Sequence, residues 1–302
     1  NTLRKDVYIS GRVCGICNIV HTTCFSEGVE KICNIMVSPR AKYLRTLLNE
    51  LERIHSHMLS LAVLGELVGF HTLFMLMMRD REPVLTLKEL VTGNRVQADY
   101  IMPGGVRRDV DPEKSVKIKK ILDNVEEKIK HYKKVFEEDS ILTKRLSGVG
   151  ILKKQDVSMY GFVGPIARGS GVKTDVRYED PYAAYEEIPF NVITREEGDS
   201  RARTIVRINE IFEAINIIRY TVDHLPEGPI GPEALIKRSQ AGEAISRVEA
   251  QRGQLVYYIL KKQGEDRPYR VKIRTPSFNN IMNSPVLFND ANIADLPAVL
   301  AS

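Results

Sequence analysis

The chain of 302 residues is long enough to bury a large core, and its 43% hydrophobic and 27% charged residues are an ordinary globular balance. The net charge is +5, yet no stripe of Lys and Arg interleaved with aromatics appears, so no nucleic-acid partner is expected. All four cysteines (Cys14, Cys17, Cys24, Cys33) lie near the start, which argues against a disulfide framework and for metal chemistry in a reducing compartment.

The first informative stretch is Arg12-Val13-Cys14-Gly15-Ile16-Cys17-Asn18-Ile19-Val20-His21. A Cys-x-x-Cys turn brings two soft thiolates within reach of one metal, and Gly15 eases the bend between them. Arg12 is expected to favour the thiolate form. His21 stands four residues beyond Cys17, as a third ligand or a hydrogen-bonding neighbour of the cysteines. The motif alone suits half a zinc site, part of an iron–sulfur site or a redox dithiol. A zinc module on Cys14, Cys17, Cys24 and Cys33 is one form of the first. Residues 22–36 read as a short helix that carries Cys24 and Cys33 as small buried hydrophobes.

Ser38-Pro39 predicts the start of a long helix, with Leu44, Leu47, Leu48, Leu51 and Ile54 at helical spacing. His55 and His57 point in different directions on it, cannot chelate one metal, and are expected to be hydrogen-bonded structural groups. The apolar run Leu59–Met78 is long enough to span a bilayer. Glu66 and His71 interrupt it, which favours a buried core helix. A further helix is expected over Arg79–Val91, a turn at Pro103-Gly104-Gly105, and a solvent-facing amphipathic helix over Lys114–Glu138 with His131 exposed.

Residues 161–171, with Gly161, Gly164, Gly169 and Gly171, are unsuited to a long helix or strand. They match neither a P-loop nor G-x-G-x-x-G. Asp175 and Arg177 suit an ion pair, and Tyr182 and Tyr185 suit packing. A helix is expected over Arg207–His224, a hairpin from Leu255–Leu260 and Tyr269–Ile273, and a last helix over Ile293–Ala301. The fold class expected is α+β, mainly α: a helical bundle with a small antiparallel β portion, in a single domain over 1–302.

The string Arg-x-Cys-Gly-x-Cys-x-x-x-His resembles the N-terminal metal motif of [NiFe]-hydrogenase large subunits. Further stretches strengthen the likeness: Asn49–His57, Thr92–Val96, Gly104–Asp109, Gly164–Gly171, Val248–Gly253 and Arg274–Phe278. Together they resemble the large subunit of group 4, membrane-bound energy-converting hydrogenases of the Ech and Mbh type, relatives of the 49-kDa (NuoD) subunit of complex I. The complex I subunit lacks the metal thiolates, so retention of Cys14 and Cys17 favours the hydrogenase branch. The likeness also places a Gly-Pro-x-His-Pro segment before Asn1 and a second pair, Asp-Pro-Cys-x-x-Cys, after Ser302. The sequence is therefore expected to be the interior of a longer subunit. Gly11 stands where relatives carry Glu, and Gln251 where they carry Pro.

The resemblance implies that Cys14 is terminal on nickel and that Cys17 bridges nickel to an iron bearing cyanide and carbonyl. Hydrogen would be split or formed heterolytically there, with a thiolate or a nearby carboxylate taking the proton. Arg252 would be the cation above the open metal site, and His21 would support the cysteines. It implies an iron–sulfur small subunit with a [4Fe–4S] cluster, integral-membrane ion-translocating subunits, and indirectly a ferredoxin-type carrier. The chain would sit peripherally on the cytoplasmic side of the cell membrane. The alternative is a complex I-like or sulfur-reducing subunit that has lost hydrogenase activity.

Overall fold

A computed structural model describes residues 2–231, 241–289 and 291–302. Helices α1 (Leu3–Gly11) and α2 (Asn18–Cys33) flank the cysteine turn. They lead into the long helices α3 (Pro39–Leu67) and α4 (His71–Thr92). A two-residue ladder, β1 (Ile101–Met102) with β2 (Gly105–Val106), precedes the long α5 (Pro112–Glu138). Four short helices follow: α6 (Ser140–Leu146), α7 (Lys154–Tyr160), α8 (Pro165–Arg168) and α9 (Val176–Glu179). Then come α10 (Ser200–Asp223), the strands β3 (Gly242–Ala250), β4 (Gly253–Lys261) and β5 (Arg270–Arg274), and finally α11 (Pro276–Met282) and α12 (Leu296–Ala301). The expected class, a helical bundle with a small antiparallel β portion, is what the chain forms.

Three of the long helices start on a side-chain cap. Ser38 Oγ accepts from the Ala41 N–H, Asp111 from Lys114 N–H, and Asp199 from Ala202 N–H. Proline occupies the first helical position of α3 and α5, where no N–H partner is missed. Helices α3, α4, α5 and α10 bury one large apolar cluster that includes Leu44, Leu51, Ile54, Leu87, Leu122 and Ile215. A second cluster fills the space between α2 and the three-stranded sheet, ordered β3-β4-β5 with both pairings antiparallel. β4 alternates buried and half-buried residues along its length, and its Leu255, Tyr257 and Ile259 face α2. Gly28 lets the helix come that close: a Cβ there would sit 2.8 Å from Ile259 Cδ1.

Two expectations are corrected. The run Leu59–Met78 is not one helix, because α3 stops at Leu67 and α4 starts at His71. Gly69, at φ +90°, adopts the left-handed turn that ends a helix, and the two halves fold back on one another. No described helix is long and apolar enough to cross a membrane. The predicted hairpin is also one strand short. β3 pairs with β4 through a tight turn at Gln251-Arg252, with Ala250 opposite Gly253.

His55 and His57 are structural, as expected. His55 Nε2 accepts from Arg81 (3.2 Å), and His57 Nε2 donates to Glu210 (2.8 Å). Burial lowers the His57 pKa to about 4 despite the carboxylate, so the ring is held neutral. A histidine depressed in the fold stabilises fully above its unfolded pKa near 6.5, and the contribution is lost as pH falls toward 4. In denaturant titrations, the stability gap between the parent and His57→Gln should therefore narrow by about 2 kcal/mol from pH 7 to pH 5. A gap constant over that range would mean that His57 titrates alike in the folded and unfolded chain, and a gap that widens toward pH 5 would mean that it is charged in the fold.

Candidate metal centre

The cysteine turn is held from three sides. Glu52 on α3 accepts from the first amides of α2, Ile19 N–H (2.8 Å) and Val20 N–H (3.2 Å), and Lys88 on α4 stands 3.4 Å from its other oxygen. Asn18 exchanges two hydrogen bonds with the Ala98 backbone. Gln97 donates to the Cys14 carbonyl (3.3 Å). Arg12 is tied to the neighbouring loop. It forms a two-pronged ion pair with Asp99 (3.0 Å), so its charge fastens the turn to the 94–100 loop.

Within that frame Cys14 and Cys17 lie with Cα atoms 5.5 Å apart, and their sulfurs are paired as a disulfide. Two-electron reduction of that pair would free both thiolates for a metal. Cys14, Cys17 and His21 offer donor atoms that all lie within 4.8 Å of one another. His21 is buried and shares a 2.7 Å hydrogen bond between Nδ1 and the Tyr257 hydroxyl, while burial lowers its pKa to about 4. Cys24 and Cys33 stay outside this group as free, buried thiols, and Cys24 donates to the Ser246 carbonyl. A four-cysteine zinc module is therefore not formed by these residues.

The donors open onto a cavity of about 150 Å³, walled on the far side by Ala250, Gln251, Arg252, Thr275, Pro276 and Ser277. The β3–β4 turn delivers Arg252 here. Its carbonyl accepts from Asn280 Nδ2 (3.4 Å), and Gly253 and Gly164 pack backbone to backbone behind it. Gly164, at φ +74° and ψ −149°, occupies a region that only glycine enters easily, and a Cβ on it would overlap the Arg252 carbonyl oxygen. Among the described residues no carboxylate pairs with the Arg252 guanidinium, whose pKa burial alone lowers. No described Asp or Glu lines the cavity.

Behind the turn lies a buried charge network that the sequence reading missed. Arg168 binds Glu210 and Glu249 at 2.7 Å each and faces Asp175 at 3.6 Å. Arg177 bridges Asp175 (2.7 Å) and Glu50 (3.1 Å), and Glu50 also holds Arg53 (3.0 Å) and accepts from the Tyr185 hydroxyl (2.5 Å). Arg53 then donates to the Glu249 carbonyl, 2.9 Å away. Asp175 and Arg177 do form the expected pair, but as part of this larger set. The available signal was charge at the buried face of an apolar-periodic helix: Glu50, Glu52 and Arg53 in α3.

The residues fit part of a soft-metal centre. Two thiols converge on one point, and a buried histidine stands beside them. Arg252, with no carboxylate partner among the described residues, lines the same cavity.

Comparison with known proteins is consistent with that chemistry. The family described as "Respiratory-chain NADH dehydrogenase, 49 Kd subunit" matches residues 68–240 and 233–302, and the family "Nickel-dependent hydrogenase" matches 2–67. The chain is 36% identical to a subunit of the F(420)H(2) dehydrogenase of Methanosarcina mazei, over all of this chain and 82% of that one. It is 36% identical to the carbon monoxide-induced hydrogenase of Rhodospirillum rubrum, over 99% of this chain and 82% of that one. Among solved structures, a chain of the membrane-bound sulfane sulfur reductase, an archaeal respiratory membrane complex, superposes with a TM-score of 0.94 at 32% identity, covering 100% of this chain and 83% of that one. The chain belongs to the family that joins the large subunits of [NiFe]-hydrogenases to the 49-kDa subunits of respiratory-chain NADH dehydrogenase.

Proposed function

We propose that this chain is the catalytic subunit of a membrane-bound, energy-converting [NiFe]-hydrogenase, with reduced Cys14 and Cys17 as two thiolate ligands of a nickel–iron centre that bears cyanide and carbonyl on iron. The supporting observation is that both cysteines, His21 and an arginine with no carboxylate partner among the described residues meet in one small cavity. When bound, such a centre supplies the two-electron chemistry of making or splitting hydrogen. The protein supplies the setting. Cys14 and Cys17 fix the metals, Arg252 favours negative charge in the cavity, and the Tyr257 hydroxyl orients His21. With no described carboxylate in the wall, a cysteine sulfur is the proton acceptor at hand rather than Asp or Glu. Electrons would pass through an iron–sulfur small subunit with a [4Fe–4S] cluster, exchanging indirectly with a ferredoxin-type carrier. Integral-membrane ion-translocating subunits would anchor the complex, with this chain on the cytoplasmic side.

A second reading is a complex I-like or sulfur-reducing subunit, favoured by the likeness to a sulfane sulfur reductase. Elemental analysis of the intact complex, with infrared detection of cyanide and carbonyl, separates the two. Nickel and iron near one each per chain support the hydrogenase. A matured complex without nickel would move the function to the second reading.

A further inference from the structure

The turn that carries Cys14 and Cys17 is held at both ends through one buried ion pair. On the α2 side, Glu52 Oε2 accepts from the Ile19 and Val20 N–H groups, at 2.8 and 3.2 Å, just beyond Cys17. On the other side, Lys88 Nζ donates to the Val96 carbonyl at 3.1 Å, and the next residue, Gln97, donates to the Cys14 carbonyl. Lys88 Nζ stands 3.4 Å from Glu52 Oε1, so the two holds meet in a single contact between α3 and α4. Cys17 itself lies in the bend ahead of α2, at φ −135° and ψ 38° and with no side-chain cap bond of its own. Its sulfur therefore goes where the first turn of that helix is held.

Stability alone does not call for charge at this place. Both side chains are buried, at 0% and 1% exposure. Taking two ions out of water is costly, and an uncharged pair of the same shape is often as stable or more so. The start of α2 does not need a carboxylate either, because a neutral side-chain oxygen caps a helix about as well. What charge adds is stiffness: hydrogen bonds to an ionised acceptor are shorter and roughly twice as strong as neutral ones.

We propose that Glu52 and Lys88 are positioning residues of the metal centre, forming a strut that holds the two cysteine sulfurs in one arrangement toward the metal. Neither lines the cavity at the cysteines, and both act through the backbone on either side of the turn. Groups that orient metal ligands in this way change metal affinity by about 10–100-fold. This inference rests on the nickel–iron reading above.

The test uses the matured, intact complex and three variants. Lys88→Met breaks the strut. Lys88→Met combined with Glu52→Gln replaces the ion pair by neutral groups of similar shape, with an amide oxygen still facing the α2 amides. Lys88→Arg keeps the cation. Nickel and iron per chain are followed under chelator, with the cyanide and carbonyl infrared bands and the far-ultraviolet circular dichroism recorded beside them. The double variant should keep the parent's helicity, lose nickel to the chelator about 10–100-fold faster, and show broadened bands. Lys88→Met should lose nickel at least as fast, and Lys88→Arg should stay close to the parent in both rate and band width. A double variant with the parent's rate and bands would overturn the inference and leave the hydrogenase reading standing. Lys88→Arg losing nickel as fast as Lys88→Met would overturn it too, because the cation would not be what holds the turn. Loss of helicity in the double variant would make the pair a requirement of the fold and overturn its positioning role. A parent complex with neither metal nor bands would overturn the hydrogenase reading, and this inference with it.

Discussion

Cys17→Ser is expected to strip the metal from the assembled complex and abolish hydrogen turnover while leaving the fold intact. Cys17 is buried at the start of α2, with its sulfur beside that of Cys14 and its position fixed by the helix that follows. A serine hydroxyl keeps its proton at neutral pH and is a hard, neutral donor, so one of the two thiolate positions on this chain is lost. Removing a group that only hydrogen-bonds to a metal ligand costs about 10–100-fold in affinity, and removing the ligand itself should cost more than about 100-fold. Nickel and iron per chain should fall to background, and hydrogen-dependent electron transfer with them. The turn should survive, because the amides of α2 are capped by Glu52 and the Asn18 side chain is tied to Ala98, neither of which involves sulfur. Far-ultraviolet circular dichroism should therefore match the parent, while the melting temperature falls only by the stabilisation the bound metals supplied. Cys24→Ser, on a thiol outside the donor group, serves as the control and should retain both metals. Parent-level metal in Cys17→Ser would remove Cys17 from the centre.

The second large effect is on stability. Arg168→Met should destabilise the protein by about 3–5 kcal/mol, because it leaves Glu210, Glu249 and Asp175 in the interior with one cation fewer. For a chain of this size that is a fall in melting temperature on the order of 10 °C. The three carboxylates do not respond alike. The Arg168 guanidinium and His57 hold Glu210 well below the usual carboxylate range, whereas burial and Asp175 push Glu249 up to about 7 against the pull of Arg168. Without Arg168, Glu249 is the carboxyl that takes a proton first. A carboxyl raised in the fold contributes stability at low pH and loses it as pH rises through its folded pKa. The penalty of Arg168→Met should thus be smaller at pH 6 than at pH 8, and the double change Arg168→Met, Glu249→Gln should recover part of it at pH 8. A melting temperature within a degree or two of the parent would show that the network carries little of the fold's stability.

The order of the long helices, the β4–β5 hairpin, the cysteine turn and Arg252 as a cavity residue were legible in the sequence. The helices, the hairpin and the turn are written in local chemistry. Apolar residues at helical spacing behind Ser38-Pro39 specify α3 without help from elsewhere, and Cys-x-x-Cys places two sulfurs together through one short turn. The break in the Leu59–Met78 run was encoded just as locally, by Gly69, but apolar content outweighed it. β3 was missed because its buried residues lie in its second half, where Val248, Glu249 and Ala250 mix charge with apolar groups. What only the tertiary structure decided is which charges meet. Glu50, the pair Arg168 and Arg177, and Glu249 come from three distant stretches, and a carboxylate in water has no reason to select one arginine over another until the backbone has buried both. For the same reason Arg12 spends its charge on Asp99, Arg252 is left with no described carboxylate to pair with, and the Gln251 amide is closed away from water beside the two cysteines.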